Sequence, residues 1–346
     1  MMKKIVIITL ILSLSLALPN LGNIKQTQEN LFGIFKRQFD RIYQNENEIL
    51  NRFSIFQRNL ELIYQNEEKD TSANYGPTIF SDLSPEEFEE QFLTLKIEEI
   101  DENEIPQQEE EETAFGLFDW FFQQEQEDEI ELPENFDWRE KGVITDVKHQ
   151  SSCGSCWAFT TAAILESQYA IKYGKLIDFS EQQLLDCDTI NSGCGGGLMT
   201  DAYKYLAKND MGLQSREDYG EYLNAVGECH YDAQKAKAKV INYYQIKKDE
   251  QIIQKELFKN GPIAVGINGR FLQFYDGGVL NHPDCNSKIN HAVLLVGWGV
   301  DQTTGHKYWL IKNQWGERWG DDGYFKLIRG ENKCGIHTYA SVAFIE

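Results

Sequence analysis

Apolar residues recur at helical spacing near the start of the chain. One set comprises Phe32, Phe35, Phe39 and Ile42, and a second comprises Ile49, Phe53, Phe56, Leu60 and Ile63. Spacings of three and four residues place each set on one face of a helix. Glu48 and Arg52 lie four residues apart and are expected to pair on the second helix. The pattern predicts a small helical module over residues 24–96.

The pattern changes after residue 131 to that of a larger globular domain. Its first half is helical, with predicted helices over Ser155–Lys172, Ser180–Asp186 and Thr200–Lys208. Its second half consists of short apolar runs between glycines, which predict strands over Pro262–Ile267, His291–Trp298, Lys307–Lys312 and Gly323–Leu327. Helices followed by strands indicate an α+β fold with two lobes around a cleft.

The N-terminus has the pattern of a secretion signal. Lys3 and Lys4 precede the apolar segment Ile5–Leu18, which is too short for a typical membrane span. Ser15 and Ala17 are small residues suited to cleavage, so residues 1–17 are predicted to be a signal peptide. We therefore expect entry into the secretory pathway, with no stable membrane anchor.

Charge is concentrated between the two predicted folded regions. Residues 1–130 carry 27 acidic and 10 basic residues, and so hold −17 of the net charge of −22. Residues 97–130 are predicted to be an acidic, solvated spacer. A group of aromatic residues, Phe115–Phe122, interrupts this spacer and either docks on the protein or is incidental. No basic stripe is present to neutralise phosphates, which argues against a nucleic-acid partner.

Seven cysteines in a secreted chain leave one without a disulfide partner. Cys156 is the best candidate, because it begins an apolar run that predicts a buried helix. Unpaired N–H groups at a helix N-terminus favour the thiolate, so a lowered thiol pKa is expected. A redox pair of Cys153 with Cys156 is disfavoured, since it requires a strand before the motif in a small βαβ fold. A zinc site lacks a second pair of ligands.

A nucleophilic thiol needs a base and a group that orients that base. His291 begins an apolar strand, where a catalytic and a structural histidine are equally favoured. Asn313 follows another strand, and taken alone it is better explained as a turn residue. The spacings from Cys156 are 135 residues to His291 and 157 to Asn313, close to the range of about 130–150 known for papain-like enzymes.

The motifs of residues 24–346 resemble those of the cathepsin L-type, papain-like cysteine proteases with their propeptide. They are Leu132-Pro133, Asp137-Trp138-Arg139, Gln150 to Phe159, Gly193 to Gly197, Asn290-His291-Ala292 and Asn313 to Gly316. Glu48, Arg52, Ile55, Phe56, Asn59 and Ile63 match the propeptide signature ERFNIN, whose final Asn is displaced to Asn66. Gly76, Phe80 and Asp82 match the second propeptide motif. The departures near the site are Ser151 for Gly, Thr160 for Ser and Gln314 for Ser.

The resemblance implies a zymogen of a cysteine endopeptidase. The implied fold is a helical lobe and a β-barrel-like lobe, with the active site between them, over residues 131–346. Residues 18–130 are the implied propeptide. Cys156 is the implied nucleophile, His291 the acid and base, and Asn313 the residue that orients His291. The Gln150 amide and the Cys156 N–H would bind the oxyanion, and Trp315 would shield the His291–Asn313 bond.

The resemblance also implies the disulfides and the substrate cleft. The pairs are Cys153–Cys194, Cys187–Cys229 and Cys285–Cys334, whereas the sequence alone leaves fifteen pairings open. The residues expected at the cleft are Gly196, Gly197, Leu198, Met199, Gly266, Ala292 and Tyr339. Their apolar character predicts a preference for an apolar residue two positions before the cut.

The remaining expectations concern cofactors, partners and location. No metal or other cofactor is expected. The expected partners are peptide and protein substrates, with the propeptide as intramolecular inhibitor, and the protein is expected to be a monomer. A lysosome-like acidic compartment and the extracellular space fit equally well. The alternative function is a catalytically inactive homologue that acts as a binding protein.

Overall fold

The computed structural model describes residues 21–95, 97 and 131–346, and side chains from residue 26 onward. The predicted signal peptide and the acidic spacer with its aromatic group Phe115–Phe122 lie outside these residues. Those two assignments stay predictions.

The N-terminal module (residues 21–97) is helical, as its pattern predicts. Its elements are α1 (Leu21–Gln38), α2 (Glu46–Lys69), β1 (Ala73–Tyr75) and α3 (Pro85–Phe92). Asn45 caps α2 by accepting from the N–H of Glu48 at 3.0 Å. Ser84 and Glu87 form a capping box at the start of α3, where Pro85 occupies the first turn. Local sequence therefore specifies where both helices begin.

Two details of the predicted helices are wrong. Ile42 lies beyond the end of α1 and is 93% exposed, because Asp40 adopts a left-handed conformation that ends the helix. Arg52 does not pair with Glu48 but donates to Glu87 Oε2 at 2.7 Å, a partner on α3. Glu48 instead accepts from the N–H of Gln44. Partners distant in sequence replaced the local one.

The C-terminal domain (residues 131–346) contains the remaining elements. Its helices are α4 (Cys156–Tyr173), α5 (Glu181–Cys187), α6 (Met199–Lys208), α7 (Arg216–Tyr219) and α8 (Glu250–Asn260). Its strands are β2 (Phe136–Asp137), β3 (Gly212–Leu213), β4 (Ala238–Gln245), β5 (Ile263–Ile267), β6 (Tyr275–Leu280), β7 (His291–Val300), β8 (Lys307–Lys312), β9 (Tyr324–Ile328) and β10 (Ala340–Ile345). The predicted α+β class is confirmed, although α8 and several strands had no sequence prediction.

One sheet connects the whole molecule. Its strand order is β1-β6-β9-β8-β7-β5-β10-β4-β3, and β2 pairs with β7. Strand β1 comes from the N-terminal module and pairs antiparallel with β6 of the C-terminal domain. The module is thus joined to the domain by backbone hydrogen bonds as well as by side chains.

Two hydrophobic cores give the C-terminal domain its two lobes. One core surrounds α4, α5 and α6, and the other lies within the sheet and includes apolar residues of the N-terminal module. Strand β7 serves both, because Val293 and Leu295 face the sheet core whereas Leu294 and Val296 face the helical core. This explains why its sequence is apolar at consecutive positions. Among the residues described, no helix has the length and hydropathy of a membrane span.

Candidate active site

Cys156 occupies the first turn of α4 and is completely buried. The preceding turn is tight: a Cβ at Gly154 would lie 2.4 Å from the carbonyl oxygen of Cys194, so only glycine fits. Helix-terminal N–H groups have no partner within the helix, and the N–H of Trp157 in the first turn contacts the Cys156 sulfur. Cys156 is also the free cysteine of the described chain.

The other six cysteines form the disulfides Cys153–Cys194, Cys187–Cys229 and Cys285–Cys334. These are the same three pairs that the resemblance implies. Because Cys153 is bonded to Cys194, it is not a redox partner of Cys156. The first disulfide joins the loop before α4 to the glycine-rich segment on the other side of the thiol.

His291 and Asn313 come together through the pairing of β7 with β8. His291 begins β7 and Asn313 directly follows β8, and the antiparallel register sets Leu294 opposite Lys312. The His291 Nε2 atom lies 2.9 Å from Asn313 Oδ1. Nδ1 has no hydrogen-bond partner within the described residues, although it is buried. The backbone N–H of Ala292, the next residue, contacts the Cys156 sulfur.

Trp315 covers the bond between His291 and Asn313. Its ring stacks on the His291 imidazole with centroids 4.7 Å apart and an interplanar angle of 25°. Trp315 and His291 are both fully buried, so water is kept from this hydrogen bond. Gln314, which the sequence interpretation treated only as a departure, donates its backbone N–H to Asn313 Oδ1 at 3.0 Å. Its side-chain amide donates to the Ala292 carbonyl at 2.9 Å.

Gln150 is fixed beside the thiol by both ends of its side-chain amide. Its Oε1 accepts from Trp315 Nε1 at 3.2 Å, and its Nε2 donates to the Cys153 carbonyl at 3.0 Å. A primary amide carries two N–H donors, so one remains for another acceptor. Its backbone N–H donates to the Gln314 carbonyl at 2.9 Å. The four candidate catalytic residues therefore lie around one cleft.

Burial sets the protonation of the thiol and the imidazole in this form of the protein. Desolvation raises the pKa of the Cys156 thiol, and it lowers the pKa of His291 to about 4 against the opposing hydrogen bond that His291 Nε2 donates to Asn313 Oδ1. Both shifts favour a neutral pair. The lowered thiol pKa expected from the helix N-terminus is therefore wrong for this covered form, because desolvation outweighs the N–H groups.

The cleft is occupied by residues 93–95 of the N-terminal module. The Thr94 hydroxyl lies 3.9 Å from the Cys156 sulfur. Leu95 forms a parallel bridge with Gly197 and donates its N–H to the Asn290 carbonyl at 3.0 Å. The sequence interpretation did not single out either residue. The sequence signal that could have pointed to this segment is the pair of apolar residues Leu93 and Leu95, which lies directly before the acidic run.

The predicted substrate residues line the place where Leu95 lies. Leu95, Met199, Ala292 and Tyr339 belong to one buried cluster, against which Leu198 packs. A Cβ at Gly266 would lie 3.0 Å from Leu95 Cδ2 and 3.4 Å from Tyr339 Cβ. A Cβ at Gly196 would lie only 2.0 Å from the Thr94 carbonyl oxygen, so glycine lets that backbone approach. Tyr339 is held by Thr200, whose hydroxyl lies 2.8 Å from the tyrosine oxygen.

Comparison with known proteins agrees with this geometry. The family profile described as "Papain family cysteine protease" matches residues 132–344, and that of the "Cathepsin propeptide inhibitor domain" matches residues 32–88. This chain belongs to the papain family of cysteine proteases. It carries a propeptide inhibitor domain in front of the protease domain, as zymogens of this family do.

Individual relatives of this papain-family protease cover most of its length. Cysteine proteinase 15A of Pisum sativum is 39% identical over 328 residues, which are 90% of this chain and 85% of that protein. Procathepsin L of Rattus norvegicus is 44% identical over 224 residues, 62% of this chain and 66% of that protein. The structure of digestive procathepsin L2 from Tenebrio molitor matches with a TM-score of 0.80 and 35% identity, covering 92% of this chain and 99% of that chain.

Proposed function

We propose that this protease is an endopeptidase whose reaction is carried by Cys156, His291, Asn313 and Gln150. The observation that carries the proposal is the buried hydrogen bond between His291 and Asn313, sheltered by Trp315, in the same cleft as the only free thiol of the described residues. A binding protein has no need of this arrangement. The arrangement of His291, Asn313 and Cys156 therefore supports a catalytic function over that of an inactive binding protein.

The proposed reaction proceeds through a thioester. The Cys156 sulfur attacks the peptide carbonyl carbon while His291 holds the thiol proton and then gives it to the leaving amine. The new amine departs, and His291 takes a proton from the water that hydrolyses the thioester. The free N–H of the Gln150 amide and the Cys156 N–H stabilise the oxyanion, an effect worth roughly 10²–10³-fold for a donor. Asn313 holds the imidazole in the required orientation.

A thiol-directed activity probe tests this proposal. After acid processing, an epoxide or vinyl sulfone should label the protein at Cys156, identified by mass spectrometry of the labelled peptide. The unprocessed chain is the control and should label slowly, because Thr94 and Leu95 cover the thiol. A processed protein that is inert to the probe and to peptide substrates would favour the inactive homologue.

We further propose that processing near Glu131 releases the mature enzyme over residues 131–346 and that acid promotes it. Within the described residues, three ion pairs join the N-terminal module to the protease domain: Asp40–Arg318, Lys69–Asp284 and Glu89–Arg270. The Lys69 ammonium lowers the pKa of the Asp284 carboxyl through a hydrogen bond and its charge. The Lys69–Asp284 pair therefore stabilises the contact between module and protease above the ordinary carboxyl pKa. This stabilisation is lost as the pH falls through the lowered pKa of Asp284. Protonation of interface carboxylates therefore weakens inhibition.

His282 is predicted to add to this acid sensitivity. It is buried at the interface, stacked on Phe271 at 4.0 Å, with the edge of Tyr75 at 6.4 Å. Burial lowers its pKa, helped by Lys69 and Lys333 and opposed by Asp284 and Asp70. A lowered pKa means that the contact is fully stable above the ordinary value of about 6.5 and weakens as pH falls below it.

Replacing His282 by phenylalanine keeps the ring but removes this titration. The pH at which half of the chain is processed in a fixed time should fall, as measured by gel electrophoresis from pH 7 to pH 4. His230→Gln is the control, because His230 stacks on Tyr219 in the helical lobe. A midpoint that stays at the wild-type value would contradict a role for His282.

Substrate preference is predicted from the walls of the cleft. The pocket formed by Leu198, Met199, Gly266, Ala292 and Tyr339 is apolar, and a buried leucine or phenylalanine gains about 1.5–3 kcal/mol there. An arginine beside Tyr339 would lose hydration without meeting a carboxylate. We expect Leu, Val or Phe well ahead of Arg two positions before the cut. A positional-scanning peptide library measures the ranking, and an Arg-first result would refute this pocket assignment.

The location proposed is the secretory pathway, ending in a lysosome-like compartment or outside the cell. The three disulfides support an oxidising folding environment. Acid-promoted processing fits an acidic destination.

A further inference from the structure

The loop that carries Gln150 contains an unusual backbone conformation. Ser151, which directly follows Gln150, has φ of +54°. Residues with a Cβ avoid this left-handed region, in which glycine is favoured. Serine in this conformation therefore requires local stabilisation that glycine would not need.

The His149 side chain supplies that stabilisation. Its Nδ1 atom accepts the backbone N–H of Ser151 at 2.8 Å. A backbone N–H can only donate, so Nδ1 must be free of a proton and the imidazole must be neutral. The turn from His149 to Ser151 is thereby closed by a side chain that titrates near physiological pH.

The imidazole is held in place from its other side. The protein backbone at Gly316 lies against the ring, where a Cβ would be only 3.1 Å from His149 Cδ2. Gly316 itself donates its N–H to the Lys148 carbonyl at 2.9 Å, and His149 forms a strand bridge with Trp315. His149 therefore lies between the turn of Ser151 and the segment that shields His291.

The Gln150 amide depends on the same turn. Its Nε2 donates to the Cys153 carbonyl two residues beyond Ser151, and the Gln150 carbonyl accepts from the Tyr222 hydroxyl at 2.6 Å. A change in the Ser151 backbone would move the carbonyl of Cys153 relative to Gln150. It would also reorient the N–H that remains for the oxyanion.

We propose that His149 is a positioning residue for the oxyanion donor Gln150, and that only its neutral imidazole performs this role. The inference rests on the proposed function, in which Gln150 binds the oxyanion. Protonation of His149 removes the acceptor of the Ser151 N–H and loosens the turn. Because the oxyanion exists only in the transition state, the loss appears in kcat and not in KM.

The charges around His149 differ between the zymogen and the free enzyme. Arg41 of the N-terminal module faces it, and Glu317 and Arg318 line the same cavity of about 540 Å³. Neighbouring Lys148 is engaged with Glu166 and Glu181. Burial first, and then Arg41, lower the His149 pKa in the zymogen. Release of the module removes Arg41, so His149 becomes easier to protonate. The bond is present above its pKa and is lost as pH falls through it.

The experiment compares four variants of the full chain after processing by pepsin. They are His149→Ala, His149→Asn, Ser151→Gly and the double variant His149→Ala with Ser151→Gly. His149→Ala should lower kcat about tenfold at neutral pH with unchanged KM, a part of the roughly 10²–10³-fold cost of losing a donor outright. Ser151→Gly should restore most of this loss in the double variant, since glycine adopts the turn without support.

The His149→Asn variant keeps an acceptor for the Ser151 N–H but removes the titrating imidazole. An asparagine Oδ1 can accept the N–H two residues ahead at any pH. This variant should keep neutral-pH kcat and should lack the decline in kcat that we expect for the wild type as the pH falls below the ordinary histidine pKa of about 6.5. Equal kcat and equal pH profiles for the wild type, His149→Ala and His149→Asn would overturn the proposal. If His149→Ala fails to fold, the pH dependence of kcat in His149→Asn and in the wild type tests the proposal, and equal profiles overturn it.

Active-site titration keeps this test separate from that of the proposed function. An epoxide titrant counts competent Cys156 thiols in each preparation, so kcat refers to active molecules. A wild type that neither labels nor hydrolyses peptides would refute the proposed function itself. Full labelling of His149→Ala with wild-type kcat would refute only the role of His149.

Discussion

Replacing Cys156 by alanine is expected to abolish peptide hydrolysis while the protein still folds. Loss of the nucleophile removes the covalent route, and kcat should fall on the order of 10⁵–10⁶-fold. The change deletes one buried sulfur atom that takes part in no disulfide, so stability should change by only about 1 kcal/mol. Peptide hydrolysis after processing in trans, and the thermal unfolding midpoint of the full chain, measure the two effects.

Cys153→Ala is the matched control, because it also deletes one sulfur atom three residues away. It breaks the disulfide with Cys194, and loss of a native disulfide costs about 2–5 kcal/mol. The unfolding midpoint should therefore fall much further than for Cys156→Ala. Substantial hydrolysis by the Cys156→Ala protein would show that the nucleophile is assigned to the wrong residue.

Replacing Asp82 by asparagine is expected to weaken the latency of the zymogen at neutral pH. The Asp82 carboxylate is buried and accepts from Arg41 Nε at 2.9 Å, Arg41 Nη2 at 2.6 Å and the Tyr43 hydroxyl at 2.9 Å. Only Asp82 is buried, whereas the Arg41 side chain is 32% exposed and can be hydrated, so losing these bonds costs about 1–3 kcal/mol. If this cost falls on the contact between module and protease, inhibition weakens by about 5- to 100-fold.

The position of Asp82 explains why the effect should reach the active site. Phe80, two residues before Asp82, packs edge-on against Trp315 with ring centroids 5.0 Å apart. Leu83, on the other side, accepts from Gln273 of the protease domain at 3.0 Å. The loop that Asp82 anchors thus contacts the residue that covers His291.

Asp40→Asn is the control for Asp82→Asn. Asp40 also pairs with an arginine, Arg318 at 2.9 Å, but both side chains are more than half exposed. Exposed pairs contribute about 0–1 kcal/mol, so this variant should remain latent. The measurement is the rate of substrate hydrolysis and self-processing at pH 7. An Asp82→Asn chain as latent as the wild type would contradict the argument.

Local sequence specifies much of this fold because its signals are short-range. The helix that begins at Cys156 was predicted to within one residue at each end, because the apolar run and the residues before it act within a few turns. Strand β8 was predicted over its observed range. The same reasoning failed at Ile42 and for the partner of Arg52, where a left-handed residue and a carboxylate on another helix decided the outcome.

The candidate chemistry was visible in the sequence only in part. An unpaired cysteine before an apolar helix stands out by itself, whereas His291 and Asn313 were ambiguous until spacing and family motifs were considered. Their 2.9 Å hydrogen bond comes from the register of β7 with β8, which no local pattern determines. Leu95 in the cleft escaped notice because its local signal, an apolar position next to the acidic run, does not indicate a contact with Gly197, 102 residues further along the chain.

By itself, the sequence determined the positions of several long helices and which cysteine stays outside the disulfides. The helices follow from the periodicity of apolar residues, and the unpaired thiol follows from the odd number of cysteines and from the apolar run after Cys156. Both can be read from the order of the residues alone. Only the tertiary structure decided that the pKa of Cys156 is raised and that of His291 is lowered, because desolvation by burial is a property of the folded chain. It also decided that His149 supports the left-handed turn at Ser151, because a backbone angle is fixed only when the surrounding contacts are made.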